Sequence, residues 1–451
     1  MSIILLLMGL AILIIMTVLG LNVIISALIA STFVALTAGQ SFITAMSDTY
    51  MKGFTGYFAS WFLLFLLGAI FGKIMGATKA SDSIAAWVLK FMGPKGAVMA
   101  VVFACAIMTY GGVSLFVVGF SVYPLAVALF REANLPRRFI PAALVFGSGT
   151  FTMFLPGSPE IQNIIPTEYF KTSPYSGATI GLIVSAFVFI LGSLYLKNAV
   201  NCAVKRGERF EDRPTDSHTS TVAKAEIAAS VEVVDSNLPR EKGIEIPTII
   251  VAIIPIIVVI VSLAIYSRLI DSTAAALYSL LSGIIVACVL MSKYLKNLWG
   301  TLAEGTNEAI MAACNTSAVV AFGKVAATTT GFTQLVDAIL HIPGPPLLSF
   351  AICITLLSGL TGSASGGLGI SLPILAPIYL KMGIDIGALH RVSVIASDGM
   401  ASLPHNGYVV TTIRNICGET FKRAYFPFFM LTCVLITVAM LVGVILFSMF
   451  S

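Results

Sequence analysis

Leu155-Pro156-Gly157-Ser158-Pro159 and Leu403-Pro404-His405-Asn406-Gly407 are two interruptions of apolar sequence, 248 residues apart at Pro156 and Pro404. They close a series of matched marks. Phe71-Gly72-Lys73 answers to Phe322-Gly323-Lys324 at an offset of 251, and Pro124 to Pro373 at 249. Small-residue runs accompany both copies: Tyr110-Gly111-Gly112 and Gly147-Ser148-Gly149-Thr150 in the first, Thr361-Gly362-Ser363-Ala364-Ser365-Gly366-Gly367 and Ser397-Asp398-Gly399 in the second. Backbone at membrane depth must satisfy its N–H and C=O groups within the protein, so non-helical chain persists there only when buried or lining a cavity. Broken segments at corresponding places in two apolar halves therefore point to a transporter's binding site.

Composition fixes the class. Of 451 residues, 58% are apolar and 10% charged, against about 25% charged in ordinary soluble domains. Many apolar runs approach the roughly 20 residues that span a bilayer. They are continuous rather than alternating, which argues against a β-barrel. The expected fold class is an all-α polytopic membrane protein in the cell inner (plasma) membrane. No Lys or Arg precedes Lys52, so the first apolar run lacks a signal peptide's basic region and reads as a retained span. The seven cysteines show no C-x-x-C pairing and read as small buried hydrophobes. No phosphate-binding G-x-x-x-x-G-K-[ST] run and no H-E-x-x-H or Cys/His cluster is present. No enzyme activity, cofactor, metal or nucleic-acid partner is expected.

Residues 197–245 are the one long polar stretch, with 17 of the chain's 47 charges in 49 residues. They read as a flexible cytoplasmic linker between a first transmembrane repeat, 1–196, and a second, 246–451. A short amphipathic helix near Val222–Val234 is one reading within it. Seven apolar stretches precede the linker and seven follow. In each half the fourth and fifth are short and meet at a Gly-rich tip, which predicts a re-entrant hairpin. The sixth breaks at Gly147–Pro159 or Ser397–Gly407, which predicts one discontinuous span. Five crossings plus a hairpin per half make two inverted-topology repeats, because an odd number of crossings reverses the second. Tracing the chain with the linker inside places 20 Lys and Arg inside and 6 outside, the latter including Lys324 and Arg391. Both termini then lie outside, and the positive-inside rule is met.

Helix ends bring unpaired backbone groups and partial charges to the tips and breaks, a ready anion site. The candidate substrate-binding residues are Gly111, Gly112 and Ser114 at the first tip, and Ser148, Gly149, Thr150, Thr152, Gly157, Ser158 and Asn163 at the first break. Ser363, Ser365, Gly366 and Asn406 are their counterparts in the second half. Glycine admits close backbone approach, and the hydroxyls and amides add adjustable hydrogen bonds. Small residues also serve tight helix packing in lipid, the competing explanation. Asp398, His405 and Glu160 are the candidates for proton coupling, since ionisable groups at membrane depth are costly and usually functional. Asp398 could instead cap the half-helix that follows, His405 could be a hydrogen-bonded interface residue, and Glu160 could favour a helix N-terminus. Lys73 and Lys324 end their spans, where snorkelling is the default and carboxylate steering the alternative.

Leu67-Gly68-Ala69-Ile70-Phe71-Gly72-Lys73, Phe154-Leu155-Pro156-Gly157-Ser158-Pro159 and Gly362-Ser363-Ala364 resemble the third span, first break and second hairpin tip of the gluconate permease family of the ion-transporter superfamily. The resemblance covers nearly the whole chain. It implies proton-coupled uptake of small hydroxycarboxylates by a scaffold and a moving transport domain, and a homodimer. Gluconate-type members carry His followed closely by Asn-Asp in the second break, where this chain has Pro404-His405-Asn406-Gly407. Leu155–Pro166 looks more like the hydroxybutyrate and short-chain-acid branch, and Met153, Phe154, Leu155 and Leu403 offer apolar wall. The leading expectation is a proton symporter for a small organic anion. A sodium-coupled carboxylate carrier or cation/proton antiporter is the alternative, since the oxygen-rich tips suit sodium. A non-transporting membrane receptor for the same ligand is a third reading, without a recognisable signalling domain to support it.

Overall fold

The computed structural model describes residues 2–19, 21–92, 96–113, 115–211, 246–340 and 342–450. Helices Ser2–Val18 (α1), Val23–Thr37 (α2), Met51–Ala77 (α3), Ala80–Met92 (α4), Ala97–Tyr110 (α5), Leu115–Glu132 (α6), Ile140–Ser148 (α7), Ile161–Phe170 (α8) and Ala178–Lys205 (α9) make the first half. The second holds Ile249–Tyr266 (α10), Ser272–Leu290 (α11), Leu298–Ala327 (α12), Thr330–Leu340 (α13), Pro346–Thr361 (α14) and Ala364–Lys381 (α15). It continues through Ile386–Asp398 (α16), Gly407–Val410 (α17), Phe421–Phe429 (α18) and Leu435–Phe450 (α19). Wide π-helical turns carry the chain into α3, out of α17 and between α18 and α19. Short polar side chains set several starts: Asn22, Asp271, Asn297 and Asp385 each accept a first-turn N–H as N-cap. Six helical segments among the described residues are long and apolar enough to cross a membrane: Thr44–Ala77, Ala178–Lys205, Ile249–Tyr266, Ser272–Leu290, Leu298–Ala327 and Phe421–Phe450.

Packing recurs with the halves exchanged. α1 lies on α13 as α10 lies on α4, α2 on α12 as α11 on α3, and α5 on α7 as α14 on α16. α3 and α12 form the centre of a scaffold, brought close by small residues. A Cβ added at Gly305 would stand 3.0 Å from the Ile70 Cα, and one at Gly53 would stand 3.1 Å from the Ala321 Cα. Lys73 departs from the snorkelling expectation. Its ammonium is 2.7 Å from Glu308 and 3.6 Å from Glu304, an ion pair across the α3–α12 contact. Lys324 at the matched position is exposed.

Both hairpins and both breaks are present. α5 and α14, of 14 and 16 residues, fall short of the roughly 20 needed to cross. Each turns back through a glycine at positive φ, Gly112 at +86° and Gly362 at +56°. α7 ends at Ser148 and the chain resumes as α8 at Ile161; α16 ends at Asp398 and resumes as α17 at Gly407. Gly147 lets α7 press against α5, since a Cβ there would lie 2.2 Å from the Val102 carbonyl oxygen. Backbone cannot step aside, so Gly147→Ala is expected to cost about 1–3 kcal/mol, read as a lower melting temperature in detergent. Gly56→Ala, with nothing within 4 Å of its added Cβ, serves as the unaffected control.

Two features differ from the sequence expectation. α4 and α13 were not among the apolar stretches; α4 buries Ile84, Ala85 and Val88 and exposes Trp87, the one-sided spacing of an amphipathic helix. The linker also starts later than residue 197, because α9 runs on to Lys205. Arg138 clasps Glu208 through two bonds of 2.6 and 2.9 Å, and Arg423 reaches Glu211 at 2.8 Å. The helix considered near 222–234 lies outside the described residues.

Hydrogen bonds from Arg138 hold the Glu208 carboxyl below its ordinary value of 4.5. The folded state therefore binds this proton less tightly than the unfolded state. The pair's contribution is full above that ordinary value and is lost as pH falls through the lowered one. Glu208→Gln is expected to lower stability at neutral pH by no more than about 1 kcal/mol, given the exposure of the pair. Melting curves of the two proteins should converge as the pH is taken well below 4.5.

Candidate functional site

Each hairpin tip is tied to the break of its own half. In the first, the Tyr110 hydroxyl donates to the Pro156 carbonyl at 3.0 Å, and Gly112 faces the Pro159 ring. In the second, the Asn406 amide donates to the carbonyls of Gly362 and Ala401 at 2.8 and 2.9 Å, while its oxygen accepts the Val409 N–H at 3.0 Å. The His405 ring lies over Gly362, where a Cβ would meet its Cδ2 at 2.5 Å. Tyr408 then crosses between halves, its hydroxyl 3.0 Å from Ser148 Oγ.

Arg391 makes the strongest junction. The charge trace counts it among the six outside cations and gives it no other role, whereas it is 0% exposed. Nε donates to the Ser176 carbonyl, Nη1 to the Phe154 carbonyl and Asn163 Oδ1, and Nη2 to the carbonyls of Pro174 and Ser176, all at 2.8–3.1 Å. The five donors of a guanidinium fork are all used. The physical reason lies in the first half: unwound chain there presents the carbonyls of Phe154, Pro174 and Ser176, which one guanidinium bonds together. Its neighbour His390 meets Thr172 Oγ1 at 2.7 Å and Asn163 Oδ1 at 3.4 Å. The run Leu389-His390-Arg391-Val392 within an apolar stretch was the available signal, because a charge inside a predicted span is functional by default.

The proposed hydroxyls and amides are mostly engaged with backbone in this conformation. Ser148, Thr150 and Thr152 return to carbonyls of Leu144, Phe146, Gly147 and Ser148 at 2.7–3.1 Å. Gly157 admits Tyr175 close to the backbone, Gly111 admits Ile256, and Gly149 lies against Val145 of α7. Ser158 Oγ accepts the Glu160 N–H at 3.4 Å. Ser363 caps α15 through the Gly366 N–H at 3.2 Å and lies 3.3 Å from Ser365 Oγ. Asn163 donates to the carbonyls of Ser158 and Pro174, so its amide, like that of Asn406, is saturated by protein. Ser114 lies outside the described residues.

The titratable candidates behave differently. Asp398 is the last residue of α16, and the half-helix after it is capped by Asn406. The capping alternative for Asp398 is therefore corrected. Its Oδ2 is buried with no hydrogen-bond partner, and so are both ring nitrogens of His405 and the Ser358 hydroxyl. The His405 ring faces the carbonyls of Gly359 and Leu360 without closing a bond of normal geometry. Glu160 stands at the N-cap position of α8, its side chain making no cap bond. Ser358 was not foreseen; it sits beneath Gly367, where a Cβ would meet its Oγ at 2.0 Å. Orphaned polar atoms in a packed interior call for an occupant or a reaction, and these gather where the second hairpin meets the second break. A cleft of about 1270 Å³ opens elsewhere, between the α8–α9 and α11 entries and the start of α16. Its floor is Thr172 and Ser176, the residues bound by His390 and Arg391. None of the orphaned groups lines it.

A family model for GntP family permeases matches residues 1–450. The chain belongs to the GntP permease family. This permease is 35% identical over 459 residues to YxjC, an uncharacterised transporter of Bacillus subtilis (strain 168), the match covering 96% of each chain. Among solved structures it is similar to the YdaH transporter of Alcanivorax borkumensis, with a TM-score of 0.50, 16% identity, and 91% and 90% of the two chains covered. MtrF of Neisseria gonorrhoeae aligns with a TM-score of 0.49 at 14% identity over 100% and 94%. At such identities the likeness to YdaH concerns the fold alone. The GntP permease is thus a multi-pass membrane transporter and not an enzyme.

Proposed function

We propose that this permease is a proton symporter for a small organic carboxylate, of the short-chain hydroxy-acid or sugar-acid kind. The observation that carries the reading is the buried, unpartnered set of Asp398 Oδ2, both nitrogens of His405 and Ser358 Oγ at one junction. Donors from His405 and Ser358 suit a carboxylate or hydroxyl. Asp398, by contrast, repels an anion while it is charged. Proton binding at Asp398 removes that repulsion, so proton and anion each favour the other's binding. Movement of the hairpins and breaks against the α3–α12 scaffold would carry both across as two inverted halves exchange access. The linker lies in the cytoplasm and both termini outside, in keeping with the excess of Lys and Arg on the linker side.

Proteoliposomes with an imposed pH gradient, given labelled 3-hydroxybutyrate or gluconate, test the proposal. Accumulation that follows the gradient and collapses with a protonophore is expected. Uptake that ignores the pH gradient and requires sodium would transfer the site to sodium coupling.

A further inference from the structure

A second cavity, of about 310 Å³, lies at the end of the molecule from which the linker leaves. It is formed by the residues before α7, the turn after α9 and the first turn of α18. Five of its lining residues are Arg or Lys and two are Glu, a net charge of +3 by difference. The two carboxylates are already taken: Glu208 by Arg138 and Glu211 by Arg423. Arg209 is different. Its Nη1 donates to the carbonyls of Val204 and Glu208 at 2.7 and 2.9 Å, which fixes the guanidinium without neutralising it. Lys422 is exposed at the opposite rim. No carboxylate pairs with either among the described residues.

The surroundings select the kind of anion. Phe426 follows Lys422 by one helical turn, hence on the same face, and is 67% exposed. On α9, Ile190 and Leu194 are exposed below the first outward lysine, Lys197. The cavity therefore stands above an apolar, lipid-facing surface, with an aromatic ring at the boundary where membrane proteins concentrate them. Its volume is at the lower end of ligand pockets, about 300 Å³, suited to a headgroup rather than a whole lipid. We propose that this cavity binds the phosphodiester of an anionic phospholipid in the leaflet on the linker's side, with the acyl chains lying along Phe426. Arg209 and Lys422 supply the uncompensated charge. Arg138 and Arg423, oriented by their glutamates, present their remaining N–H groups.

The test uses the full chain in detergent and native mass spectrometry, titrated with phosphatidylglycerol or phosphatidylcholine of the same chain length. Phosphatidylglycerol is expected to bind at least about thirtyfold more tightly. Each cation near the surface contributes about fivefold, so Arg209→Ala/Lys422→Ala should weaken phosphatidylglycerol about thirtyfold and leave phosphatidylcholine unchanged. Lys422→Gln alone, should the double variant misfold, is expected to weaken it about fivefold. Lys171→Ala/Lys324→Ala, which removes equal charge elsewhere, should retain wild-type affinity. Equal binding of the two lipids, a preference that survives loss of Arg209 and Lys422, or an equal loss in the control pair overturns the proposal. Displacement of the lipid by inorganic phosphate at matched concentration would overturn the lipid source and leave a site for free phosphate.

Discussion

Arg391→Ala is expected to lower the stability of the detergent-solubilised protein by about 3 kcal/mol and to abolish transport. Two terms oppose each other. The carbonyls of Phe154 and Ser176 lose their side-chain donor, at about 1–3 kcal/mol each for a buried unsatisfied group. Pro174 keeps the Gly157 N–H and the Asn163 amide, and Asn163 Oδ1 keeps His390, so these are partly spared. Against that, removing a cation buried without a carboxylate relieves some desolvation. The loss wins because α16 loses its fastening to the first break and to the turn before α9. Arg391→Lys should recover less than half, since a point charge with three donors cannot reproduce the fork. Thermal melts and expression levels measure this; an Arg391→Ala protein that melts and transports like wild type removes the clamp from the account.

Asp398→Asn separates coupling from carriage. The substitution keeps size and shape, and Oδ2 has no partner to lose, so the fold should be intact. A one-proton symporter driven by one pH unit can concentrate its substrate about tenfold, the ratio equivalent to about 1.4 kcal/mol. In Asp398→Asn vesicles that ratio is expected to fall to unity, while exchange of labelled for unlabelled substrate should continue. If the asparagine variant still accumulates substrate and His405→Gln does not, the proton belongs to His405. A variant defective in exchange as well would make Asp398 a substrate contact instead.

The breaks and hairpins were readable because their signals are local. Pro156 and Pro404 cannot continue a helix, and Gly112 and Gly362 turn where no side chain fits, so each marks itself. α4 was hidden by the opposite property: Ser81, Asp82 and Ser83 interrupt its apolar residues, and only helical spacing unites Ile84, Ala85 and Val88. Arg391 could not be placed from its neighbours. An arginine within an apolar stretch marks itself as unusual but does not name its partners, and those carbonyls lie more than 200 residues earlier. Asp398 was likewise ambiguous until Asn406 proved to be the cap of the following half-helix. Hydroxyls such as Ser148 and Thr150 read as ligand groups, and helix geometry turns them back on their own chain. Ser358, outside any conspicuous cluster, is among the hydroxyls left without a partner, and it lies against Gly367.

The reach of Arg391 also bears on biosynthesis. Phe154 and its donor are separated by 237 residues, which a ribosome adds in roughly 10–50 s. Throughout that interval the first half lacks the donor that the Phe154 carbonyl has in the folded protein. It must wait beside water or the insertion machinery, and settles only when its younger copy arrives.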